Sequence, residues 1–208
     1  MKNYRLMLSF LLFIILSSII NLIASDVKLK KNNKYEKVVE SIACFNINNF
    51  RFPFNNYGVI ADADPGDGIG AGGTYANVVI LFSGGFFLSG KNNNQIWANG
   101  VQSSSRIEDY LPGQVGSSPD DLKNKIYIVS LEDTPFGESW QQWKDAVITG
   151  ADFYDGDGDG SYNPIDINNN GKWDSFEDCP DILGDWTAWC VYNDGVPKEL
   201  RRFSVDPK

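Results

Sequence analysis

From Ser41 onward, apolar and β-forming residues come in short runs separated by Gly, Asn, Asp and Pro. The runs are Ile42–Ile47, Tyr57–Ala61, Ala76–Phe82, Gly85–Ser89, Gln95–Val101, Ile126–Leu131, Thr187–Tyr192 and Leu200–Val205. Short runs bounded by turn formers predict strands. GKNNN, between Phe86–Ser89 and Gln95–Val101, predicts a β-hairpin loop. One segment, ESWQQWKDAVITG, has a different period. Trp140, Trp143, Val147 and Ile148 recur there at steps of three and four, which places them on one helical face. Glu138 and Ser139 suit the start of that helix and Gly150 its end. Its tryptophan pair reads as core packing ahead of a sugar-stacking platform. The pattern as a whole predicts a mainly β chain, an antiparallel β-sandwich with one short helix.

The first 25 residues follow another logic. Lys2 and Arg5 precede an apolar run from Leu6 to Ile23, diluted by Ser9, Ser17, Ser18 and Asn21 and ending in Ala24 and Ser25. That is the layout of a secretory signal peptide cleaved after Ser25, with an uncleaved anchor helix as the alternative. Residues 26–40 are Lys-rich and polar and read as a solvated leader. Residues 41–208 are then one β-rich module, with no stable membrane span once the signal is removed.

Between Asp155 and Glu177 the chain reads DGDGDGSYNPIDINNNGKWDSFE. This matches the calcium-loop pattern D-x-[DN]-x-[DN]-G-x5-E twice. The first copy has Asp155, Asp157 and Asp159 at positions 1, 3 and 5, Gly160 at 6 and Asp166 at 12. The second starts on that same residue, with Asp166, Asn168 and Asn170 at 1, 3 and 5, Gly171 at 6, Asp174 at 9 and Glu177 at 12. Ca²⁺ is a hard cation that takes six to eight oxygens, and alternate residues of a tightly turning loop aim oxygens inward. Position 7 contributes a backbone carbonyl, here of Ser161 and Lys172. Position 8 is aromatic in both copies, Tyr162 and Trp173, so each loop has an anchor to a core. Residues 151–185 hold ten acidic side chains and one lysine, so a divalent cation would relieve their repulsion. Sharing Asp166 leaves no room for a helix between the loops, and Pro164 opposes one. A fixed calcium brace fits this arrangement better than a sensor.

Composition narrows the function further. The 208-residue chain has 27 acidic and 18 basic residues and no histidine. Ser-His-Asp and Cys-His catalysis are excluded, and an acidic chain lacks the basic face that nucleic acid needs. Of the three cysteines, Cys179 and Cys190 are the candidate disulfide; three small buried thiols are the alternative reading. DADPGDG, at Asp62–Gly68, reads as a surface loop ahead of a cation site. GIGAGG, at Gly68–Gly73, matches G-x-G-x-x-G, but a strand-like TYANVVILF follows it where a dinucleotide site needs a helix.

Several segments carry a resemblance. GGFFLSG, QIWANGV, SSRIEDYLPG, WQQWKDAVITGADFYDGDGDGSYNPID and EDCPDILGDWTAWCVYNDG are similar to the N-terminal region of long secreted Bacteroidota-type surface proteins. Such proteins often end in a C-terminal sorting domain for type IX secretion. The similarity runs from about Gly58 to the end, and the acidic segment also resembles the tandem loops of thrombospondin type 3 repeats. The resemblance implies export and a β-rich architecture more than an activity. This sequence ends at RRFSVDPK without a sorting domain, so a truncated or N-terminal fragment is the expectation.

Together these readings predict a secreted or cell-surface, calcium-stabilised structural or adhesive module with no catalytic activity. A calcium-dependent carbohydrate-binding module, or an accessory domain of a larger polysaccharide-degrading enzyme, is the alternative. The implied partner is a cell-surface or glycan ligand.

Overall fold

The computed structural model describes residues 41–92, 95–100 and 109–197. The expectations for residues 1–25, 26–40 and 200–205 lie outside them. The described chain is mainly β, with antiparallel pairing throughout and one short helix. No helix among the described residues is long and apolar enough to cross a membrane.

Strand β1 (Ile42–Ile47) turns into β2 (Phe50–Asn55) through Asn48 and Asn49, with φ values of 50° and 66°. Two consecutive left-handed residues make the two-residue turn whose twist matches that of a hairpin, and Asn tolerates that conformation well. Along its whole length β2 pairs with β1, from Ile42↔Asn55 to Ile47↔Phe50. It also pairs with β4 (Gly73–Tyr75) at Phe50 and Arg51, and with β3 (Val59–Ile60) at Phe54. Strand β5 (Val78–Leu81) continues the sheet beyond β4, and β6 (Gly84–Gly85) continues it beyond β3.

Strand β2 is missing from the sequence-predicted runs because Pro53 interrupts it. The structure shows why proline fits. In an extended strand the N and O of one residue face the same edge. The Pro53 carbonyl accepts from Ala61 N at 2.7 Å, so the absent N–H faces that edge too. It lies in the gap between the β4 pairs and the β3 pair, where the ladder is already broken.

Four two-stranded ribbons hold the other strands. Strand β7 (Phe87–Asn92) pairs with β8 (Gln95–Gly100) from Phe87↔Gly100 to Asn92↔Gln95. The expected hairpin is there, with Gly90, Lys91 and Asn92 inside the strand instead of in the loop. Strand β9 (Leu111–Pro112) pairs with β14 (Tyr192–Asn193), and β10 (Tyr127–Ser130) with β13 (Trp186–Trp189). Strand β11 (Phe153–Tyr154) pairs with β12 (Cys179–Pro180).

Helix α1 (Glu138–Ile148) ends in Gly150, whose φ of +107° suits glycine. It buries Trp140, Trp143 and Ala146, with Val147 partly buried. Ile148 departs from expectation and is 75% exposed. Each residue turns the helix by about 100°. With Trp143 and not Lys144 as the inward neighbour of Trp140, the stripe rotates toward Ala146 and Val147, and Ile148 falls beyond its edge. The core joins Trp143 and Ala146 to Tyr127 and Val129 of β10 and to Ala151, with Tyr162, Ile182 and Trp189 against it. Sequence reading placed the tryptophans here correctly.

The candidate disulfide is not formed. Cys179 and Cys190 are free thiols, as is Cys44. Cys179 lies in the β11–β12 ribbon, whereas Cys190 follows the last residue of β13, which pairs with β10. Burial pushes both thiols up to about 11, with Asp178 and Asp181 adding to the effect at Cys179. At neutral pH they are protonated.

Candidate metal centre

The β11–β12 ribbon ties the acidic segment at its neck. Phe153↔Pro180 and Tyr154↔Cys179 are the paired residues, so the chain leaves at Asp155 and returns at Asp178 side by side. No helix or strand occurs between these points. The helix-free character read from the shared register is therefore correct.

In the first loop the Asp155 carboxylate turns the chain around itself. Its Oδ1 accepts from Gly158 N at 2.8 Å and Asp159 N at 3.1 Å, and its Oδ2 from Gly160 N at 3.0 Å. Asp157 Oδ1 accepts from Asp159 N, and Asp159 Oδ1 from Ser161 N. The second loop repeats this. Asp166 Oδ1 accepts from Asn170 N at 3.1 Å and Oδ2 from Gly171 N at 2.7 Å. Asn168 Oδ1 accepts from Asn170 N, and Asn170 Oδ1 from Lys172 N. The position-6 residues Gly160 and Gly171 have φ of +78° and +74°, the left-handed turn that glycine makes without a steric penalty. Ser161 and Lys172 follow at position 7 of each loop, as the register requires.

The loops differ in charge. Asp155, Asp157 and Asp159 each offer a carboxylate oxygen, all within 4.8 Å of one another, and all three are exposed. That is the group among the described residues that can hold a metal ion. Hard carboxylate oxygens at this spacing suit a hard divalent cation. The second loop carries amides where the first carries acids. Asn168 and Asn170 both donate through Nδ2 to Asp174 Oδ2, at 2.8 Å each.

Both position-8 aromatics act as anchors, in different ways. Tyr162 packs against the core, meets the Phe153 ring at a 53° tilt with centroids 5.3 Å apart, and donates its hydroxyl to Trp140 O at 3.1 Å. Burial drives its phenol well above the usual range, with Cys179 and Asp178 contributing. Trp173 is 38% exposed, meets Tyr154 edge-on at 5.7 Å and donates Nε1 to Glu177 O. Helix α1 braces the junction of the loops, since Gln141 Nε2 donates to the carbonyl of buried Pro164 at 2.9 Å.

Closure at position 12 separates sequence register from structure. Glu177 is 1% exposed; its Oε1 accepts from Ile167 N at 2.7 Å and its Oε2 from Asp174 N at 2.9 Å. Those amides stand at positions 2 and 9 of the second loop. In the first loop, positions 2 and 9 are Gly156 and Asn163. Their amides donate to Asp178, at 3.0 Å to Oδ1 and 2.7 Å to Oδ2. Register counting assigned this place to Asp166, whose two oxygens receive second-loop amides. Sequence reading missed Asp178. The available signal was an acid directly beside the closing Glu177, paired with a first copy lacking Glu at position 12.

The other acidic loop is built differently. Buried Arg51 donates Nε to Asp67 Oδ2 at 2.7 Å and Nη2 to Asp67 Oδ1 at 2.8 Å. It also donates to the carbonyls of Gly70 and Gly72. The Gly68–Gly73 turn therefore points carbonyls at a guanidinium, the reverse of the N–H cradle that a phosphate needs. The Arg51 hydrogen bond holds the Asp67 carboxyl below the usual carboxylate range. Comparison with protein-family models, curated proteins and solved structures gives no match to this chain.

Proposed function

We propose that this chain is an exported surface module with a structural or adhesive role, braced by calcium in its two acidic loops. The carrying observation is the exposed Asp155–Asp157–Asp159 cluster, set in a loop whose turns repeat in the segment that follows. Calcium fits better than magnesium because the donors are flexible, all-oxygen and shared with backbone, whereas Mg²⁺ demands a tight octahedron and keeps its waters. Export is carried by the signal-like first 25 residues, by the resemblance to Bacteroidota-type surface proteins and by the loops, since extracellular calcium is abundant. Exposed apolar side chains along β5 (Val78, Val79 and Ile80) and on β7 (Phe87) supply surface for association.

Thermal unfolding of the full chain in calcium, in magnesium and in chelator tests the reading. A calcium-specific rise in melting temperature is expected; a cooperative transition identical in all three buffers refutes it. A calcium-dependent glycan-binding role is a second reading, favoured by the exposed Tyr154–Trp173 pair beside the loops. Retention on a glycan array in calcium, lost in Trp173→Ala, is its expected signature.

A further inference from the structure

We infer that strand β5 is the seam of a dimer: it pairs with β5 of a second copy, antiparallel about a two-fold axis, and joins two sheets into one. No residue of the acidic loops takes part, so the inference stands apart from the cation reading above.

Strand β5 ends the six-stranded sheet. It pairs with β4 on one side and, among the described residues, with no strand on the other. Two rows of paired residues cross the sheet to reach it, one on each face. On one face Phe50, Tyr75 and Val78 are 42%, 46% and 65% exposed; on the other Arg51, Thr74 and Val79 are 5%, 7% and 56% exposed. Exposure therefore climbs toward the free edge on both faces. A partner lying over one face would leave the other as it is, whereas a strand added beside β5 covers both. Ile80 has no partner on β4 and is 55% exposed, and Phe82 just beyond the strand is 76% exposed. Edge strands are ordinarily guarded by a charge, a proline or a covering segment. Val78–Leu81 carries neither charge nor proline.

The chemistry of the edge selects its partner. From Gly68 to Gly90 there is no Asp, Glu, Lys or Arg, in a chain with 27 acidic and 18 basic residues. A charged peptide or an anionic surface finds no complementary charge there. Two copies, each with a formal net charge of −9, repel one another as wholes, and an uncharged stretch is where they touch at least cost. A two-fold axis makes the second β5 antiparallel by symmetry and sets apolar residues against apolar ones. The five apolar side chains nearest the edge (Tyr75, Val78, Val79, Ile80 and Phe82) expose roughly 500 Å² per copy. With the backbone edge added, two copies bury just above the ~1,000 Å² that a specific interface needs. Once paired, neither β5 has an open edge left for a third copy.

Sedimentation velocity of the full chain over a concentration series tests this on wild type and Val79→Lys, with near-UV circular dichroism to check folding. Wild type is expected to pass from monomer to a single dimer. Added salt should tighten that dimer, since it screens the repulsion between like net charges. Val79→Lys should weaken it about tenfold or more, because it puts two lysines into one apolar seam. Hydrogen exchange over residues 75–83 of wild type should show protection in the dimer that is lost on dilution. That measurement decides alone if Val79→Lys fails to fold. A wild type that is monomeric throughout overturns the proposal; protected β5 amides in such a monomer would mean that another part of the same chain covers the edge. A folded Val79→Lys that dimerises as wild type does places the contact elsewhere and overturns it equally. So does a dimer that loosens with salt, or growth into larger species without limit.

Discussion

DADPGDGIGAGG, at Asp62–Gly73, and DGDGDGSYNPIDINNNG, at Asp155–Gly171, are alike in composition: Asp alternating with small or turn-forming residues. In the first, β2 supplies Arg51, which holds Asp67 and two glycine carbonyls. That loop carries its own cation, covalently part of the chain. In the second stretch the helix lysine Lys144 reaches only the side-chain oxygen of Asn163, and no carboxylate there joins an ion pair among the described residues. Its carboxylates bind their own backbone amides, and three of them converge at the surface. The contrast teaches that acidic loops differ in whether the fold supplies the compensating charge: Arg51 does so in one case, and the other leaves three exposed carboxylates that could hold a metal ion.

The sharpest way to break this contrast is to remove the built-in cation. Arg51→Met leaves Asp67 and two carbonyls without their donor and should destabilise the protein by about 2–3 kcal/mol. The loss should be equal in calcium and in chelator by thermal unfolding. A calcium-dependent loss would mean that the loops are not separate. Asp159→Ala is the counterpart. It should remove about 2.7 kcal/mol of stabilisation when calcium stands near 100-fold above its dissociation constant, and in chelator only about 1 kcal/mol for the lost hydrogen bond to Ser161 N. Equal losses in both buffers would make Asp159 a turn residue only.

Acid should distinguish the loops as well. The carboxyl of Asp67 is held below its unfolded value, so its contribution is fully present above the ordinary carboxylate pKa of about 4. It is lost as pH falls through the lowered folded value. Melting profiles between pH 5 and 2 should fall more steeply for wild type than for Arg51→Met; parallel profiles would remove Asp67 from the account. The smallest effect expected is that of Gly171→Ala. Nothing lies within 4 Å of the added Cβ, so only the strain at φ +74° remains, about 1 kcal/mol. A much larger loss would show that this turn is packed by something else.

Much of this was legible in the chain. Short apolar runs between turn residues marked β1, β5, β8 and β10, and the Trp140–Trp143 spacing marked α1 and its buried face. The acidic register located both loops, their glycine turns and Glu177, because those features depend on residues a few positions apart. Strand β2 was hidden by Pro53, whose acceptability depends on a gap between two partner strands. Ile148 was misplaced because the buried stripe extends from Trp143 to small Ala146 on the far side, which the large apolar residues did not mark. The Cys179–Cys190 pairing assumed that nearness in sequence is nearness in space, but Cys179 sits in the β11–β12 ribbon and Cys190 just past the end of β13.

The sequence by itself determined what is local: short strand-forming runs, the single helix, the excess of acid with a single lysine in it, and loops that turn on their own Asp side chains. Tertiary structure decided what is distant. It brought Arg51 to Asp67 and seated Tyr162 under Trp140. By pairing β11 with β12 it laid Asp178 beside Gly156 and Asn163 and made it the closing residue of the first loop. Such assignments depend on how far the chain travels before it returns, and no spacing within a motif records that distance.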